Sequence, residues 1–403
     1  MIGFEIKKVF SKPINKAALL FLIVTLIIVS ILTINNVRYV DENGDATTGI
    51  TAAKHLRELK NQWAGYVKDD VLSKVIEENT AINNSKEALS DIVQEKDKAY
   101  AKKQGFSDIV DMISNAFVGF GEYDYYRADR VTTEEVGMVY ENRISNLKEW
   151  LDSGKEHFSD AEKDFLIGQY QALKTPFYYE YTDGWQALLQ NISTVILILA
   201  LIIGFFVAGV FSDEFQLKAD SIFFSTKLGR NKAVRSKIGA GFLITTLTYI
   251  IFVFLYSMIV LLLLGTDGAG CPIQWSMWKS FYNVTYFQAY LLIVFGGYIG
   301  TLFAMTVSML VSAKTHSTVV AIMIPFILLC VFPFLSRIIT LPQICSLFPD
   351  QLLEVFVILK DSGLYEIGGK VMGTIAVIIP AYLVPCIVLQ PILYGVYKRA
   401  EIR

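Results

Sequence analysis

The stretch AALLFLIVTLIIVSILTI at residues 17–34 carries no charged side chain, and neither does QALLQNISTVILILALIIGFFVAGVF at residues 186–211. Four further stretches share this character, at residues 238–264, 285–313, 317–336 and 371–397. The hydrocarbon core of a bilayer is about 30 Å thick, so a helix needs about 20 apolar residues to cross it. All six stretches reach that length or come close to it. The sequence therefore predicts an all-α integral membrane protein with six transmembrane helices.

These stretches divide the chain into parts of unequal size. Residues 1–16 form a basic leader, which we expect to be an amphipathic elbow, and residues 17–36 form the first span. Residues 37–185 form a large polar insert, which we refer to as the insert. Residues 186–403 carry the other five spans.

Two polar loops interrupt this last part of the chain. Loop 212–237 is rich in basic residues, and loop 337–370 is too polar to span a membrane. In loop 337–370, Pro349 and Asp350 precede a run of apolar residues that includes Leu352, Val355 and Ile358. This pattern predicts a short helix at the membrane interface on the same side as the insert.

Charged residues are distributed unequally between the two sides of the predicted bundle. The leader, loop 212–237, the turn before the fifth span and the C-terminal tail hold 14 Lys and Arg against 5 Asp and Glu. The insert holds 18 basic and 28 acidic residues. Cytoplasmic loops carry the excess of Lys and Arg. We therefore expect a multi-pass protein of the cell membrane with both termini cytoplasmic and residues 37–185 extracellular. The length of the first apolar stretch and the absence of a small-residue cleavage site after it argue against a cleaved signal peptide.

The insert has the three- and four-residue apolar spacing of helices. We expect its second helix to begin near Ser85, its third after Ser107 and its fourth at Thr133. A capping box, Ser159-x-x-Glu162, predicts the start of the fifth. An insert of this size can form its own core, so the sequence predicts a helical extracellular bundle.

An aromatic run closes the insert at the entry to the second span. Tyr and Trp favour the headgroup layer of a bilayer. We therefore expect an interfacial anchor that attaches the insert to this span. The residues predicted for the anchor are Phe177, Tyr178, Tyr179, Tyr181 and Trp185.

The cysteines and histidines form no pattern that predicts a metal site. Cys271 and Cys345 lie in the two short external loops and form a possible disulfide, provided that their Cα atoms come within about 7 Å. The sequence leaves open whether they are bridged. The three histidines are isolated in sequence. We expect no metal and no cofactor in this chain.

The six apolar stretches contain no carboxylate, ammonium or guanidinium group. Relays of protons and ions through a membrane require such groups. The chain also lacks the G-x-x-x-x-G-K-[ST] phosphate loop. It is therefore not expected to be an enzyme, and any ATP hydrolysis has to come from a partner.

Loop 212–237 has the pattern of a short amphipathic helix at residues 214–229. Acidic residues open it, apolar residues share one face, and a glycine can end it. Such a helix can enter the groove of a partner protein or lie on the lipid surface. The residues predicted to couple the chain to a partner are Asp213, Glu214, Phe215, Ile222, Phe223, Gly229 and Arg230.

The stretch FSDEFQLKADSIFFSTKLGR at residues 211–230, followed by Lys237, resembles a loop of ABC transporter permease subunits in the ABC-two (type V exporter) family. The acidic residue of that loop resembles Glu214. Its Ser-Thr-x-x-Gly-Arg ending resembles residues 225–230 here. The order of elements is also similar, with a basic elbow, a first span, an external insert and five further spans.

This resemblance implies a permease that pairs with a second permease copy or a paralogue and with a cytoplasmic ATP-binding subunit, which would hold ATP and Mg²⁺. The uncharged spans favour an amphipathic or lipid-like cargo, such as an antimicrobial peptide, moved outward. The alternative is a membrane sensor whose external domain detects a ligand, and a third reading is a membrane scaffold for external enzymes. The lipid bilayer is an expected partner in every case, and nucleic acid is not.

Overall fold

The computed structural model describes residues 1–226, 229–339 and 341–400. In these ranges six helical stretches are long and apolar enough to cross a membrane. The predicted all-α class is confirmed. A short helix, α1 (Ile2–Ser11), precedes the first span. Four spans are single helices: α2 (Pro13–Asn35), α9 (Asp183–Gln216), α12 (Tyr286–Thr315) and α17 (Thr374–Lys398). The third span is α11 (Val234–Leu264), which follows a π-helical turn at Gly229–Ala233. The fifth span consists of α13 (Thr318–Phe326), a π turn and α14 (Phe332–Leu335).

The second span, α9, lies at the centre of the bundle, where it packs against α2, α11, α12 and α13. Small residues allow this close packing, as is usual between helices in lipid. A Cβ atom on Gly204 of α9 would lie 2.6 Å from Pro325 of the fifth span. By contrast, α13 and α17 are mostly exposed along their apolar windows. Their exposed apolar side chains are suited to contact with lipid.

The insert is helical, as predicted, with two changes of boundary. The helix expected near Ser85 begins at Val93 and is the third helix of the insert rather than the second. The helix expected at Thr133 begins at Val139 after a 3-10 turn at Val136–Met138. The predicted capping box at Ser159 is confirmed, since both of its hydrogen bonds are present. The helices of the insert are α3 (Ile50–Asn61), α4 (Asp69–Asn83), α5 (Val93–Lys103), α6 (Ser107–Ala116), α7 (Val139–Asp152) and α8 (Asp160–Ala172).

Short antiparallel strand pairs and a buried arginine hold the insert in place. Strand β1 (Arg38–Val40) pairs with β2 (Ala46–Thr48), and β3 (Gly65–Tyr66) pairs with β4 (Tyr178–Tyr179), both antiparallel. Arg143 of α7 donates a hydrogen bond of 3.0 Å to the carbonyl oxygen of Ser280, in the loop between the third and fourth spans. The insert therefore packs directly on the ends of the spans.

The loop before the last span contains α15 (Pro342–Cys345), a 3-10 turn at Pro349–Leu352 and α16 (Val355–Ile358). Val355 is fully buried, and a Cβ atom on Gly296 of α12 would lie 2.6 Å from it. The expected short helical element is present but packs on protein. An antiparallel hairpin of β5 (Leu364–Ile367) and β6 (Lys370–Gly373) follows. It was not predicted, although its Gly368-Gly369 turn has the positive φ angles that favour glycine.

Candidate functional site

A buried group of charged residues lies at the end of the bundle that carries the chain termini. We call it the charged hub, and it comprises Glu5, Lys8, Lys12, Asp213, Glu214, Lys237 and Tyr397. The side chain of Lys237 is fully buried. Its Nζ atom donates to the Val210 carbonyl oxygen at 2.6 Å, to Glu214 Oε1 at 2.8 Å and to Glu5 Oε2 at 3.3 Å. A buried ammonium needs such partners because burial removes its hydration.

Further contacts extend the charged hub to the first and last helices. Lys8 Nζ donates to Glu214 Oε1 at 2.7 Å, and Tyr397 Oη donates to Glu214 Oε2 at 3.2 Å. Lys12 Nζ lies 2.8 and 2.6 Å from the two oxygens of Asp213. Burial lowers the pKa of Lys8, but the hydrogen bond and charge of Glu214 outweigh it and raise the pKa above its ordinary value. The hub thus joins α1, α9, α11 and α17.

The single helix predicted at residues 214–229 is wrong. The second span continues to Gln216, and the chain then turns at Lys218, which has a left-handed φ of 55°. A separate six-residue helix, α10 (Asp220–Ser225), follows. Residues 227–228 lie outside the described ranges. The chain breaks here because the last turn of α9 is held in the hub by Asp213 and Glu214, while Lys218 reverses the chain direction.

The predicted coupling residues mostly face inward. Asp213 and Glu214 belong to the hub and are buried within the chain. Phe215 is half-buried and stacks on His316 with ring centroids 3.5 Å apart, and Phe223 is half-buried with its ring 6.1 Å from that of Tyr397. Ile222 is 72 % exposed.

Leu217 is also 72 % exposed and was not predicted. The two exposed side chains flank the first turn of α10. They form what we call the α10 patch, defined as Leu217 and Ile222. The signal that could have identified Leu217 is its position after the acidic end of the second span.

Gly229 and Arg230 hold α10 against the C-terminal end of the last span. Arg230 Nη1 donates to the carbonyl oxygen of Lys398 at 2.8 Å, and its guanidinium lies 4.8 Å from the ring of Phe224. A Cβ atom on Gly229 would lie 1.9 Å from the Phe223 carbonyl oxygen. The loop therefore needs glycine at this position. Arg230 makes these internal contacts, and its contact with a partner stays a prediction.

The aromatic run at the end of the insert is mostly buried in protein. Phe177, Tyr179, Tyr181 and Trp185 are all at least 96 % buried, and only Tyr178 is exposed. Trp185 Nε1 donates to the Thr266 carbonyl oxygen at 3.1 Å, and the ring of Tyr179 packs 4.8 Å from that of Trp275. The anchor predicted at the lipid interface is thus a protein core, because the loop after the third span covers it. That core attaches the insert to the second span.

The possible disulfide is not formed. Cys271 and Cys345 are both free and buried. Cys345 Sγ lies 3.8 Å from the carbonyl oxygen of Ile339, within its own loop. Burial, with a smaller contribution from the charge of Glu180, raises the pKa of the Cys271 thiol to about 12, so this thiol is unreactive.

A second buried ion group lies at the opposite end of α9. We call it the insert-side triad, and it comprises Lys60, Asp108 and Asp183. Lys60 Nζ lies 2.9 Å from Asp108 Oδ2 and 2.6 Å from Asp183 Oδ1, and Tyr179 Oη donates to Asp108 at 2.9 Å. Burial lowers the pKa of Lys60, but the two carboxylates outweigh it and raise the pKa well above its ordinary value. The triad joins α3 and α6 to the start of the second span, and no local pattern of residues predicts it.

Beside this triad is a cavity of about 430 Å³ between the insert and the ends of the spans. Helix α6 contributes Asp108 and Asp111, α9 contributes Gln186 and Gln190, and the loop between the third and fourth spans contributes residues 274–280. Burial and the charge of Asp108 raise the pKa of Asp111 to about 6.

The part of the chain that the structure describes contains no group of His, Cys, Asp and Glu residues arranged to hold a metal ion. Comparison with protein-family models, with curated protein sequences and with solved structures found no match to this chain. The geometry of the hub, the α10 patch and the cavity therefore carries the functional argument.

Proposed function

We propose that this chain is the permease subunit of an ATP-driven ABC exporter. A separate cytoplasmic ATP-binding subunit hydrolyses ATP, and a second permease copy or a paralogue completes the transport path. In this proposal both termini and α10 are cytoplasmic, and the insert is extracellular. The cargo is amphipathic or lipid-like and moves outward.

The observation that carries the proposal is the α10 patch and its attachment to the charged hub. Leu217 and Ile222 expose 72 % of their surface each. Contiguous exposed apolar patches that are rimmed by polar residues are typical of protein–protein contacts. Lys218, Lys232 and Arg235 are exposed in the same loop. A partner groove with apolar and acidic character would match this surface.

The hub makes such a contact mechanically effective. The loop carrying the patch follows Asp213 and Glu214 directly, and these residues pair with Lys8, Lys12 and Lys237. A force applied to α10 would therefore reach α1, α9, α11 and α17 together. A helix lying freely on lipid needs no such buried ionic connection. The connection favours α10 as the element that receives a partner's conformational change.

The test is purification of the tagged chain from its native membranes, with ATP hydrolysis measured on the purified material. The decisive variant is Leu217→Glu/Ile222→Glu, and the matched control is Leu89→Glu/Val93→Glu, which changes exposed apolar residues of the insert. We expect a nucleotide-binding protein and its ATPase activity to co-purify with the wild type and the control. We expect both to fall at least tenfold with the α10 variant, as is usual when central apolar contacts of an interface are lost.

Two results would count against this proposal in different ways. If no ATP-binding protein accompanies the wild type, the chain is not an ABC permease subunit. If the ATPase stays bound to the α10 variant, the permease assignment survives and the patch is not the coupling surface.

The insert-side cavity favours a second candidate, a membrane sensor whose insert binds a ligand. The two functions differ in the partner, because a sensor requires a signalling protein at the cytoplasmic end rather than an ATPase. The same purification distinguishes them. A co-purifying kinase without an ATPase would favour the sensor.

A further inference from the structure

The insert-side cavity carries unpaired charges of both signs. On the insert, Asp108 is paired with Lys60, and Asp124 is paired with Arg130. Asp111 has no ion-pair partner among the described residues, and it lines the cavity. It is therefore the carboxylate of this wall that remains available to an external cation.

The positive charges of the cavity come from the external loops of the membrane part. Lys279 belongs to the loop after the third span, and Lys360 to the loop before the last span. In the described ranges neither ammonium has a carboxylate within ion-pair distance. Lys279 lies 5.6 Å from the ring of Phe120, and Lys360 lies 4.1 Å from the ring of Phe356. Lys279 is half-buried and Lys360 is exposed. Ammonium groups without a counterion at the wall of a cavity are suited to an external carboxylate.

The remaining lining favours a ligand with amides and without long alkyl chains. Asn115, Gln186 and Gln190 supply amides, and Trp275 and Trp278 supply aromatic surface.

The aliphatic side chains of the lining are few, and they argue against a lipid. They are Met112, Val118 and Met277, which form too small an apolar surface for acyl chains. The volume of 430 Å³ lies within the range of about 300–1,000 Å³ that is typical of sites for small ligands.

We propose that this cavity binds a short zwitterionic peptide, with the peptide ammonium at Asp111 and its carboxylate at Lys279 and Lys360. None of the residues that line this cavity belongs to the α10 patch or to the charged hub. It would give the protein direct recognition of a peptide at the junction of the insert and the spans.

The test is isothermal titration calorimetry of the purified full chain in detergent with the tripeptide Ala-Phe-Ala. The same peptide is then titrated with its amino terminus acetylated, with its carboxyl terminus amidated, and with both ends blocked. We expect each single block to weaken binding about tenfold, since hydrogen bonds to charged groups contribute about 1.5–3 kcal/mol. The doubly blocked peptide should bind most weakly.

Variants of the cavity residues test which wall of the cavity binds each end of the peptide. Asp111→Asn should weaken binding of the free peptide about tenfold and leave the acetylated peptide unaffected. Lys279→Gln/Lys360→Gln should weaken binding of the free peptide about tenfold and leave binding of the amidated peptide unaffected. The matched controls are Asp164→Asn and Lys148→Gln, which change exposed charges away from the cavity and should bind like the wild type.

Absence of binding by the free peptide at millimolar concentration would overturn the proposal. Equal binding of all four peptides to the wild type would also overturn it, and that comparison holds even if a variant fails to fold. Binding that depends on the end groups but is unchanged in both cavity variants would place the peptide elsewhere and would refute this site. None of these results bears on whether an ATPase co-purifies.

Discussion

Lys237→Met tests whether the charged hub holds the terminal end of the bundle together. The substitution removes a fully buried ammonium and leaves Glu5 and Glu214 with one cation fewer. Removal of one partner from a buried ion pair costs about 3–5 kcal/mol, because the remaining charge stays out of water. Glu214 keeps Lys8 at 2.7 Å and the Tyr397 hydroxyl at 3.2 Å. We therefore expect the lower end of that range, about 3 kcal/mol of unfolding free energy.

The assay is chemical unfolding of the purified protein in mixed micelles, followed by far-UV circular dichroism. The five tryptophans, at positions 63, 150, 185, 275 and 278, belong to the insert or to the ends of the spans beside it. Tryptophan fluorescence therefore reports on the opposite end of the molecule, whereas circular dichroism reports on the whole bundle.

Two further variants serve as controls for Lys237→Met. Lys12→Met removes a cation whose side chain is 34 % exposed and leaves Asp213 with Lys8 at 3.9 Å, so it should cost less than Lys237→Met. The double variant Glu214→Gln/Lys237→Met should cost less than the sum of the two single variants, because the carboxylate no longer needs a counterion. A loss of less than about 1 kcal/mol for Lys237→Met would refute the reasoning, since the hub would then be no stronger than a surface ion pair.

The remaining predictions concern the triad, the α10 loop and the cavity. Lys60→Met should destabilise the insert by about 3–5 kcal/mol because it leaves two carboxylates without a counterion. Tryptophan fluorescence in the same unfolding assay measures this loss, and an unchanged unfolding curve would show that the triad is dispensable. Gly229→Ala should expose the α10 loop to limited proteolysis, because its Cβ atom would lie 1.9 Å from the Phe223 carbonyl oxygen, whereas an unchanged digestion pattern would contradict that packing. The pKa of Asp111 is raised to about 6 in the folded chain, against about 3.9 in an unfolded one. The native state therefore binds the proton of the Asp111 carboxyl group more tightly than the unfolded state does. The stabilising effect of this protonation is lost as pH rises from about 4 to about 6. Asp111→Asn should remove that part of the pH dependence of the unfolding midpoint. Identical pH profiles of the variant and the wild type would show that Asp111 does not contribute to it.

The sequence predicts the six spans correctly because each apolar stretch is a local signal. No charged residue interrupts any of them, so length alone identifies a membrane helix. The capping box at Ser159 is equally local, and both of its hydrogen bonds are present. These features depend on residues within one or two turns of each other.

The ion groups could not be predicted in the same way. Lys237 and Glu5 are separated by 232 positions, and Lys60 and Asp183 by 123. Lysines near the ends of spans are ordinarily assigned to lipid headgroups, and nothing in the local pattern distinguishes a lysine that is buried. The prediction made from the aromatic run was incomplete for the same reason. Its composition suits an interface, but a distant loop that contains Trp275 covers it.

The second span connects all of these features. Helix α9 has 34 residues and is therefore about 50 Å long at 1.5 Å per residue. Its first turn carries Asp183 of the triad and, one turn later, the amides that line the cavity, while its last turns carry Asp213 and Glu214 of the hub. Two buried ion groups thus fix the two ends of one continuous helix, with the cavity at one end and the α10 patch at the other.

A continuous helix that is held at both ends, such as α9, can transmit a displacement from one end to the other. If α10 receives a partner's movement, that movement reaches the cavity through α9, since its other end is held by Lys60. Coupling between two sites is reciprocal in free energy. Peptide binding in the cavity and partner binding at the α10 patch should therefore affect each other by the same factor. This coupling should weaken when either Lys60 or Lys237 is replaced, because each substitution releases one end of the helix.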